Sequence, residues 1–140
     1  MLNEIVKGVS MKLNATFGNR YKAYENDVKQ GLKPPCFFIA VLKPELSPLV
    51  GWRYLSTNPL DVRFIPADSG RNVEMFNIAA ELLEALEYIT LPDGDMLRGT
   101  NMNYEVVDGV LHFFVNYNLT LIKPAEKILM ETLSVDMGTK

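Results

Sequence analysis

The chain has 140 residues, of which 48% are hydrophobic and 22% are charged, and its formal net charge is −3. These values are typical of one globular domain with a sizeable core, and they exclude the basic excess on which nonspecific nucleic-acid binding depends. The single cysteine excludes an internal disulfide and a zinc site built from cysteines. The longest apolar run, CFFIAVL, is far shorter than the roughly 20 residues of a membrane helix.

The first predicted element is an amphipathic helix over residues 2–17. Its apolar residues recur at steps of three and four, and Gly18-Asn19 supplies a stop signal. The apolar set is Leu2, Ile5, Val6, Val9, Leu13 and Phe17. We therefore expect this helix to bury one face against the core.

Three extended segments follow. RYKAYE (20–25) predicts a short strand, and CFFIAVL (36–42) predicts a strand at the centre of a sheet or covered on both faces. WRYLSTNPLDVRFIP (52–66) predicts a long strand. Its apolar residues at even-numbered positions lie on one face: Trp52, Tyr54, Leu60, Val62 and Phe64. Pro59 cannot donate a ladder hydrogen bond, which predicts a bulge or a sheet edge there. The proline-containing segment 42–51 is predicted as a loop.

A second helix is predicted to begin at a cap formed by Ser69 or Asn72 and to end at LPDG. Its apolar stripe is Met75, Phe76, Ala79, Leu82, Leu83, Leu86 and Ile89. Ile78 and Tyr88 lie off that stripe, on the face that we expect to contact solvent. This placement makes both residues candidates for a contact with another molecule.

The dipeptide Asp108-Gly109 predicts a two-residue type I′ turn, because both central residues of that turn need a positive φ. Such a turn fixes the register of the hairpin. The predicted pairs are Val107 with Val110, Val106 with Leu111, Glu105 with His112, Tyr104 with Phe113, and Met102 with Val115. Side chains on one face are then apolar and those on the other mostly polar, an arrangement that a one-residue slip would destroy.

Two residues could suggest catalysis, and each has a simpler structural interpretation. His112 faces Glu105 in the predicted register, with no nucleophile or further ligand at a suitable spacing. Cys36 follows Pro35 and has no adjacent charge to activate it, as expected for a buried cysteine. Phosphate-binding loops, paired metal-binding histidines and a serine elbow are missing from the sequence. We predict no catalytic residue, no metal site and no cofactor.

The order of the segments resembles a known family. LNEIVKGVSMKLNATFG is followed by GLKPPCFFIAVL, then by a long strand and an acidic helix ending in LEALEYI, and then by MLRGTNMNYEVVDGVLHFFVNYN. Over about residues 1–123 this layout resembles the tail terminator family of long-tailed bacteriophages, prophages and phage-tail-like particles. The most specific segments are PPCFFI, the dipeptide Arg98-Gly99, and DGVLHFFVNYN.

The predicted elements give an α+β class in the order α-β-β-β-α-β-β, and the resemblance implies a mixed or antiparallel sheet with two main helices packed on one face. Residues 1–123 are expected to form a single domain, with 124–140 as a C-terminal extension that becomes ordered on assembly.

The resemblance also implies a structural virion protein without enzyme activity. Such proteins form a ring, typically of six subunits, at the head-proximal end of the tail tube, where they end tube polymerisation and present the surface for head–tail joining. The implied partners are further copies of the chain, the tail tube protein, the sheath protein as a candidate, and the head–tail connector. DNA passes through the ring without specific binding, and no membrane is involved. The implied location is the virion, assembled in the cytoplasm of a bacterial host.

Apolar and aromatic residues outside the core stripes are the candidate contacts with other subunits or with the tube. They are Trp52, Tyr54, Ile78, Tyr88, Ile128, Leu129 and Leu133. For Trp52, a position in the core is an open alternative. Two alternatives for the function also stay open: another head–tail joining or minor tail protein, and a small binding domain unrelated to virions.

Overall fold

The computed structural model describes residues 2–25, 33–68 and 72–122. In these ranges the helices are α1 (Leu2–Phe17) and α2 (Asn72–Ala85), and a short 3-10 helix (Gly18–Arg20) follows α1. The strands are β1 (Lys22–Tyr24), β2 (Cys36–Val41), β3 (Glu45–Pro48), β4 (Arg53–Ile65), β5 (Tyr88–Thr90), β6 (Met96–Val107) and β7 (Val110–Ile122). The predicted α+β class is confirmed. The predicted order lacked β3 and β5.

The strands form one mixed sheet in the order β1-β2-β4-β7-β6-β5. β1 pairs with β2 in parallel, and the other neighbours are antiparallel. β3 lies beside β4 beyond the end of β2, because β2 pairs only with Leu60–Ile65 and leaves the first half of β4 available.

The core lies between one face of this sheet and the two helices. In β4 and β7, alternate residues are buried and point to the same side, as the register pairs Val62 with Phe113 and Phe64 with Leu111. α1 contributes the predicted apolar residues, including the fully buried Ile5. The predicted helix over residues 2–17 is confirmed, and Gly18 ends it with a φ of 62°.

The end and the buried face of α2 differ from the prediction. The helix ends at Ala85, and Tyr88 begins β5 rather than a last helical turn. Ile78 is only 4% exposed and belongs to the core, whereas Phe76 is 50% exposed. Successive residues of a helix are about 100° apart, so a face centred on Met75, Ile78 and Leu82 cannot also bury Phe76. The expectation that Ile78 contacts solvent is therefore wrong.

The long strand β4 passes Pro59 without a break in its pairing with β7. The carbonyl of Pro59 accepts a hydrogen bond from the N–H of Leu42, at the place where β2 ends and before β3 begins. Because the N–H and C=O of a strand residue point to the same side, the N–H that proline lacks would face this gap. Of the two predicted alternatives, the bulge is not found in the pairing of β4 with β7, and the open edge between β2 and β3 explains the proline.

The hairpin of β6 and β7 turns at Asp108 and Gly109, with φ values of 53° and 77°. The predicted pairs from Val107–Val110 to Tyr104–Phe113 are confirmed. The predicted pairing of Met102 with Val115 is wrong, because β6 carries one extra residue between Asn103 and Thr100.

Because of this bulge, the residues of β6 that precede it point to the opposite faces of the sheet from those that an unbroken register would give. Gly99, rather than Thr100, therefore faces Tyr117 on the core side. Asn101 accommodates the bulge with a φ of 52°, a conformation that asparagine adopts more readily than most residues.

Candidate functional site

The described residues contain no group of three or more histidine, cysteine, aspartate or glutamate side chains that could hold a metal ion. In the same ranges, no helix has the length and apolar character needed to cross a membrane. A shallow, largely apolar hollow lies between α1 and the end of β5, lined by Gly8, Met11, Lys12, Ala15 and Thr90. Lys12 and Thr90 are the polar residues of this lining.

The most concentrated polar chemistry lies on the sheet face opposite the helices. Asp61 is only 3% exposed, and its Oδ2 accepts a hydrogen bond from Nε of Arg63 at 3.0 Å. The same oxygen lies 2.9 Å from Nδ1 of His112. Its other oxygen, Oδ1, is buried without a hydrogen-bond partner. The lone histidine therefore contacts a buried carboxylate in β4, although its backbone faces Glu105 in β6 as predicted.

This cluster joins neighbouring strands and packs against aromatic rings. The guanidinium of Arg63 lies over the ring of Phe38, 5.8 Å from its centroid, and His112 stacks near Phe114 at 6.3 Å. The single thiol is fully buried in β2, and burial raises the pKa of Cys36, which disfavours the thiolate that nucleophilic catalysis needs. The ion pair of Asp61 with Arg63 lies within β4, and the contact of Asp61 with His112 links β4 to β7.

The dipeptide Arg98-Gly99 lies at a junction between α2, β6 and β7. The hydroxyl of Tyr117 donates a 2.6 Å hydrogen bond to the carbonyl of Leu86, just beyond the end of α2. The N–H of Gly99 donates to the carbonyl of Glu87 at 2.6 Å. A Cβ at Gly99 would lie 2.8 Å from the Leu86 carbonyl oxygen and 2.7 Å from Cγ2 of Val115. Close packing therefore requires a glycine at this position. The Tyr117 hydroxyl is buried at the same junction, and this burial raises its pKa.

At one end of the sheet, three strand segments extend beyond the core. We call this extension the flap; it comprises β3, the turn 49–52, residues 53–57 of β4 and residues 118–122 of β7. None of its side chains is fully buried. Its large exposed apolar residues are Leu46, Leu49, Val50, Trp52 and Ile122. The flap therefore presents an apolar surface that the chain's own helices leave exposed.

At the other end of the sheet, α2 and β6 present a second apolar surface, which we call the α2–β6 patch. It consists of Val73, Phe76 and Tyr104, all of which are exposed. The rings of Phe76 and Tyr104 lie 6.4 Å apart, so the two elements form one continuous surface. Val73 and Phe76 are three positions apart on the same helix and therefore lie on one side of it.

The strand β5 ends the sheet next to β6, and within the described ranges no strand pairs with its other edge. The guanidinium of Arg98 lies over the ring of Tyr88, 5.6 Å from its centroid, and its Nη2 lies 3.3 Å from a carboxylate oxygen of Glu87. Edge strands offer backbone groups to another chain, and a charged side chain beside the edge limits uncontrolled pairing. The structure thus offers apolar surfaces and an open strand edge that suit assembly with other chains.

Comparison with known families decides the identity. A family model described as "Phage tail terminator protein" matches residues 4–128, which is most of the chain. The chain belongs to this family. No curated protein matches it in sequence. A solved structure of another protein aligns with 87% of this chain and 94% of its own length at 14% identity, with a TM-score of 0.46. That similarity is too low to support an argument about function.

As a tail terminator protein, the chain has a structural role in the phage tail and is a component of the virion. Its family is a structural one and implies assembly with other tail and head–tail proteins. The segments that carried the resemblance have structural roles in the fold. PPCFFI leads into the buried strand β2, Gly99 allows close packing under α2, and DGVLHFFVNYN forms the turn and most of β7.

The structure separates the candidate contact residues of this tail terminator into different environments. Trp52 lies exposed in the turn before β4, Tyr54 is half-buried in the flap, and Tyr88 is exposed on β5. Ile78 is in the core and cannot contribute to a surface without unfolding. The remaining candidates, Ile128, Leu129 and Leu133, lie outside the described residues.

Sequence reasoning missed β3 and placed Phe76 in the core. Pro44 and Pro48 favoured a loop for this segment, whereas the structure places β3 there and turns into β4 at Gly51, with a φ of 75°. No sequence signal distinguished Phe76 from its apolar neighbours on α2.

Proposed function

We propose that this protein caps the head-proximal end of the phage tail tube as a ring of six subunits, ends tube polymerisation and presents the surface to which the head connector binds. The observation that carries this proposal is the family match over residues 4–128. The further partners are the tail tube protein and, as a candidate, the sheath protein.

The surfaces described above support an assembly role. A closed ring needs two different surfaces on each subunit, because one patch must contact a different patch on the neighbour. The flap and the α2–β6 patch are unlike surfaces at opposite ends of one sheet. The net charge of −3 also suits a passage for DNA, because an acidic wall does not retain phosphate.

Residues 124–140 are proposed to form an extension that becomes ordered when the ring meets a neighbour or the tube. Ile128, Leu129 and Leu133 are spaced as on one face of a helix, which suits docking on another surface. Hydrogen exchange on free and tube-bound protein tests this extension. Equal protection of residues 125–137 in both states would contradict the proposal.

Tube polymerisation in vitro tests the capping function. The tail tube protein of the same phage is polymerised with and without this protein, and tube lengths and ends are measured by negative-stain electron microscopy. We expect shorter tubes that carry a ring at one end. Unchanged tube growth with no ring at any end would refute the proposal.

A further inference from the structure

We infer that the extension of one copy adds as an extra strand to the open edge of β5 in a neighbouring copy. Residues 132–137 form this strand, and its apolar side chains enter the hollow beside α1. The inference rests on the proposed ring and names a contact between its subunits. The occupant is an extended chain, because a strand edge binds its partner through backbone hydrogen bonds.

The backbone of β5 directs two residues toward its open edge. Ladder hydrogen bonds toward β6 use the carbonyl of Glu87 and the N–H of Leu91. The alternation of an antiparallel ladder therefore turns the N–H and C=O groups of Tyr88 and Thr90 away from β6. Among the described residues, no strand pairs with that edge. These backbone groups can bind an added strand.

The hollow beside this edge can take a side chain of the added strand. α1 lies next to β5, and a Cβ at Gly8 would lie 3.0 Å from the Thr90 carbonyl oxygen, so the glycine keeps a side chain away from this acceptor. Ile89 turns its buried side chain to the core side, where α1 lies. A residue opposite Ile89 would point to that same side. The hollow there is lined by Gly8, Met11, Lys12, Ala15 and Thr90.

The extension contains a segment with the pattern of such a strand. The helix-like spacing of its apolar residues ends at Leu133, and from residue 132 onward polar and apolar residues alternate. Alternation of this kind is typical of a strand with one buried face. The polar residues are Thr132, Ser134 and Asp136, and the apolar ones are Leu133, Val135 and Met137.

One register suits both faces of the added strand. Antiparallel pairing is the more stable arrangement, and with Val135 opposite Ile89 it places Asp136 opposite Tyr88. The guanidinium of Arg98 lies over the Tyr88 ring, 5.6 Å from its centroid. This register therefore brings the carboxylate beside a cation on the exposed side and an apolar side chain toward the hollow.

The extension is long enough to reach a neighbouring copy. β7 ends at Ile122, and residues 123–131 connect it to the pairing segment. At roughly 3.3 Å per residue this connection spans up to about 30 Å, which is about the diameter of a small domain. Because the extension is proposed to become ordered on assembly, the edge that it meets belongs to a neighbour.

Cysteine cross-linking tests the contact in the full-length chain. In the inferred register Ser134 lies opposite Thr90, so Thr90→Cys and Ser134→Cys place two thiols side by side, while the natural Cys36 is fully buried. Each single variant, their equimolar mixture, and the chain with both substitutions are treated with a short bis-maleimide. The reaction is run on free protein at high concentration and on protein bound to tail tubes. Thr90→Cys with Thr139→Cys is the matched control, because residue 139 lies about 17 Å further along an extended chain.

The added strand predicts a distinct pattern for each sample. The chain with Thr90→Cys and Ser134→Cys should give a ladder of cross-linked species that ends at the subunit number of the ring. The mixture should give dimers only, and each single variant and the control pair should give none.

Four results would overturn the inference. A link within one chain, without dimers from the mixture, would place the extension on its own β5 edge. Dimers from Ser134→Cys alone would show that two extensions meet. Equal linking of the control pair would show that the contact has no fixed register. The absence of links in both conditions would show that the extension does not occupy this edge.

Substitutions within the extension provide a second measurement. Val135→Lys removes an apolar group and places an ammonium toward Lys12 in the hollow. It should raise the protein concentration at which half of the tubes carry a ring by on the order of tenfold or more. Ser134→Lys is the matched control, because the neighbouring side chain faces solvent in the same register. Equal effects of both variants would contradict the assignment, and far-ultraviolet circular dichroism verifies that each variant is folded.

The tube-length assay separates a failure of this inference from a failure of the proposed function. If rings cap the tubes but the cross-linking ladder is missing, the capping function stands and the added strand is wrong. If the ladder forms but tubes grow without limit, the contact is real and the capping function is wrong.

Discussion

The dipeptide Arg98-Gly99 leads to the sharpest stability prediction, the effect of Gly99→Ala. Replacing a glycine by alanine at an ordinary φ usually stabilises a protein by about 0.4–1 kcal/mol, because the unfolded chain loses freedom. The φ of Gly99 is not in the left-handed region. The alanine Cβ would nevertheless lie 2.8 Å from a backbone oxygen, that of Leu86, and 2.7 Å from Val115.

The steric cost should exceed the entropic gain. Overpacking of this kind costs about 1–3 kcal/mol. The Leu86 oxygen also accepts the buried hydrogen bond from Tyr117, and disturbing a hydrogen bond of this type costs about 1 kcal/mol. Subtracting the entropic gain leaves a net loss of about 2 kcal/mol in the free energy of unfolding. Urea unfolding followed by circular dichroism measures this loss.

The same measurement in a Tyr117→Phe background tests the cause. If alanine acts by displacing the Leu86 carbonyl, the two substitutions should be coupled, and the double variant should lose less than the sum of the single losses. A Gly99→Ala protein as stable as the wild type, or more stable, would show that the junction relaxes freely and would refute the packing argument.

Three further predictions concern other parts of the fold. Gly109→Val should lower the free energy of unfolding by about 1–3 kcal/mol in urea titration, because valine resists a positive φ, whereas Asp108→Asn should differ little from wild type. His112→Ala removes one of the two partners of the buried Asp61 and should lower the free energy of unfolding by about 1–3 kcal/mol. Ring assembly on tubes should persist in this variant. Loss of assembly by a folded variant would contradict a purely structural role for the histidine. Burial raises the pKa of Tyr117, so its contribution to stability is fully present below pH about 10 and declines as the pH rises through the folded pKa. As the pH rises above about 10, the free energy of unfolding should therefore fall less for Tyr117→Phe than for wild type. Tyr104→Phe, at an exposed site, is the control and should fall as much as wild type. A steeper fall for Tyr117→Phe than for Tyr104→Phe would contradict the prediction.

The local elements were accessible from the sequence because their signals are local. The helix over residues 2–17 follows from apolar spacing and a glycine stop. The Asp108-Gly109 turn fixes the first pairs of the hairpin, since a two-residue turn leaves no freedom in register. The family resemblance came from the order of these segments, and the family match confirms it.

Residues distant in sequence decided the rest. α2 ends at Ala85 because the following residues pair with β6 and the Leu86 carbonyl bonds to Tyr117, 31 positions away. The bulge in β6 brings Gly99 opposite Tyr117, and no pattern within β6 reveals this pairing.

The sequence by itself therefore determined the two helices, five of the seven strands, the first part of the hairpin register and the family. Only the tertiary structure decided that Ile78 is buried, that Phe76 is exposed and that β3 extends the sheet into a flap. The physical reason is that periodicity shows which residues are apolar, whereas burial depends on which surfaces the rest of the chain happens to cover.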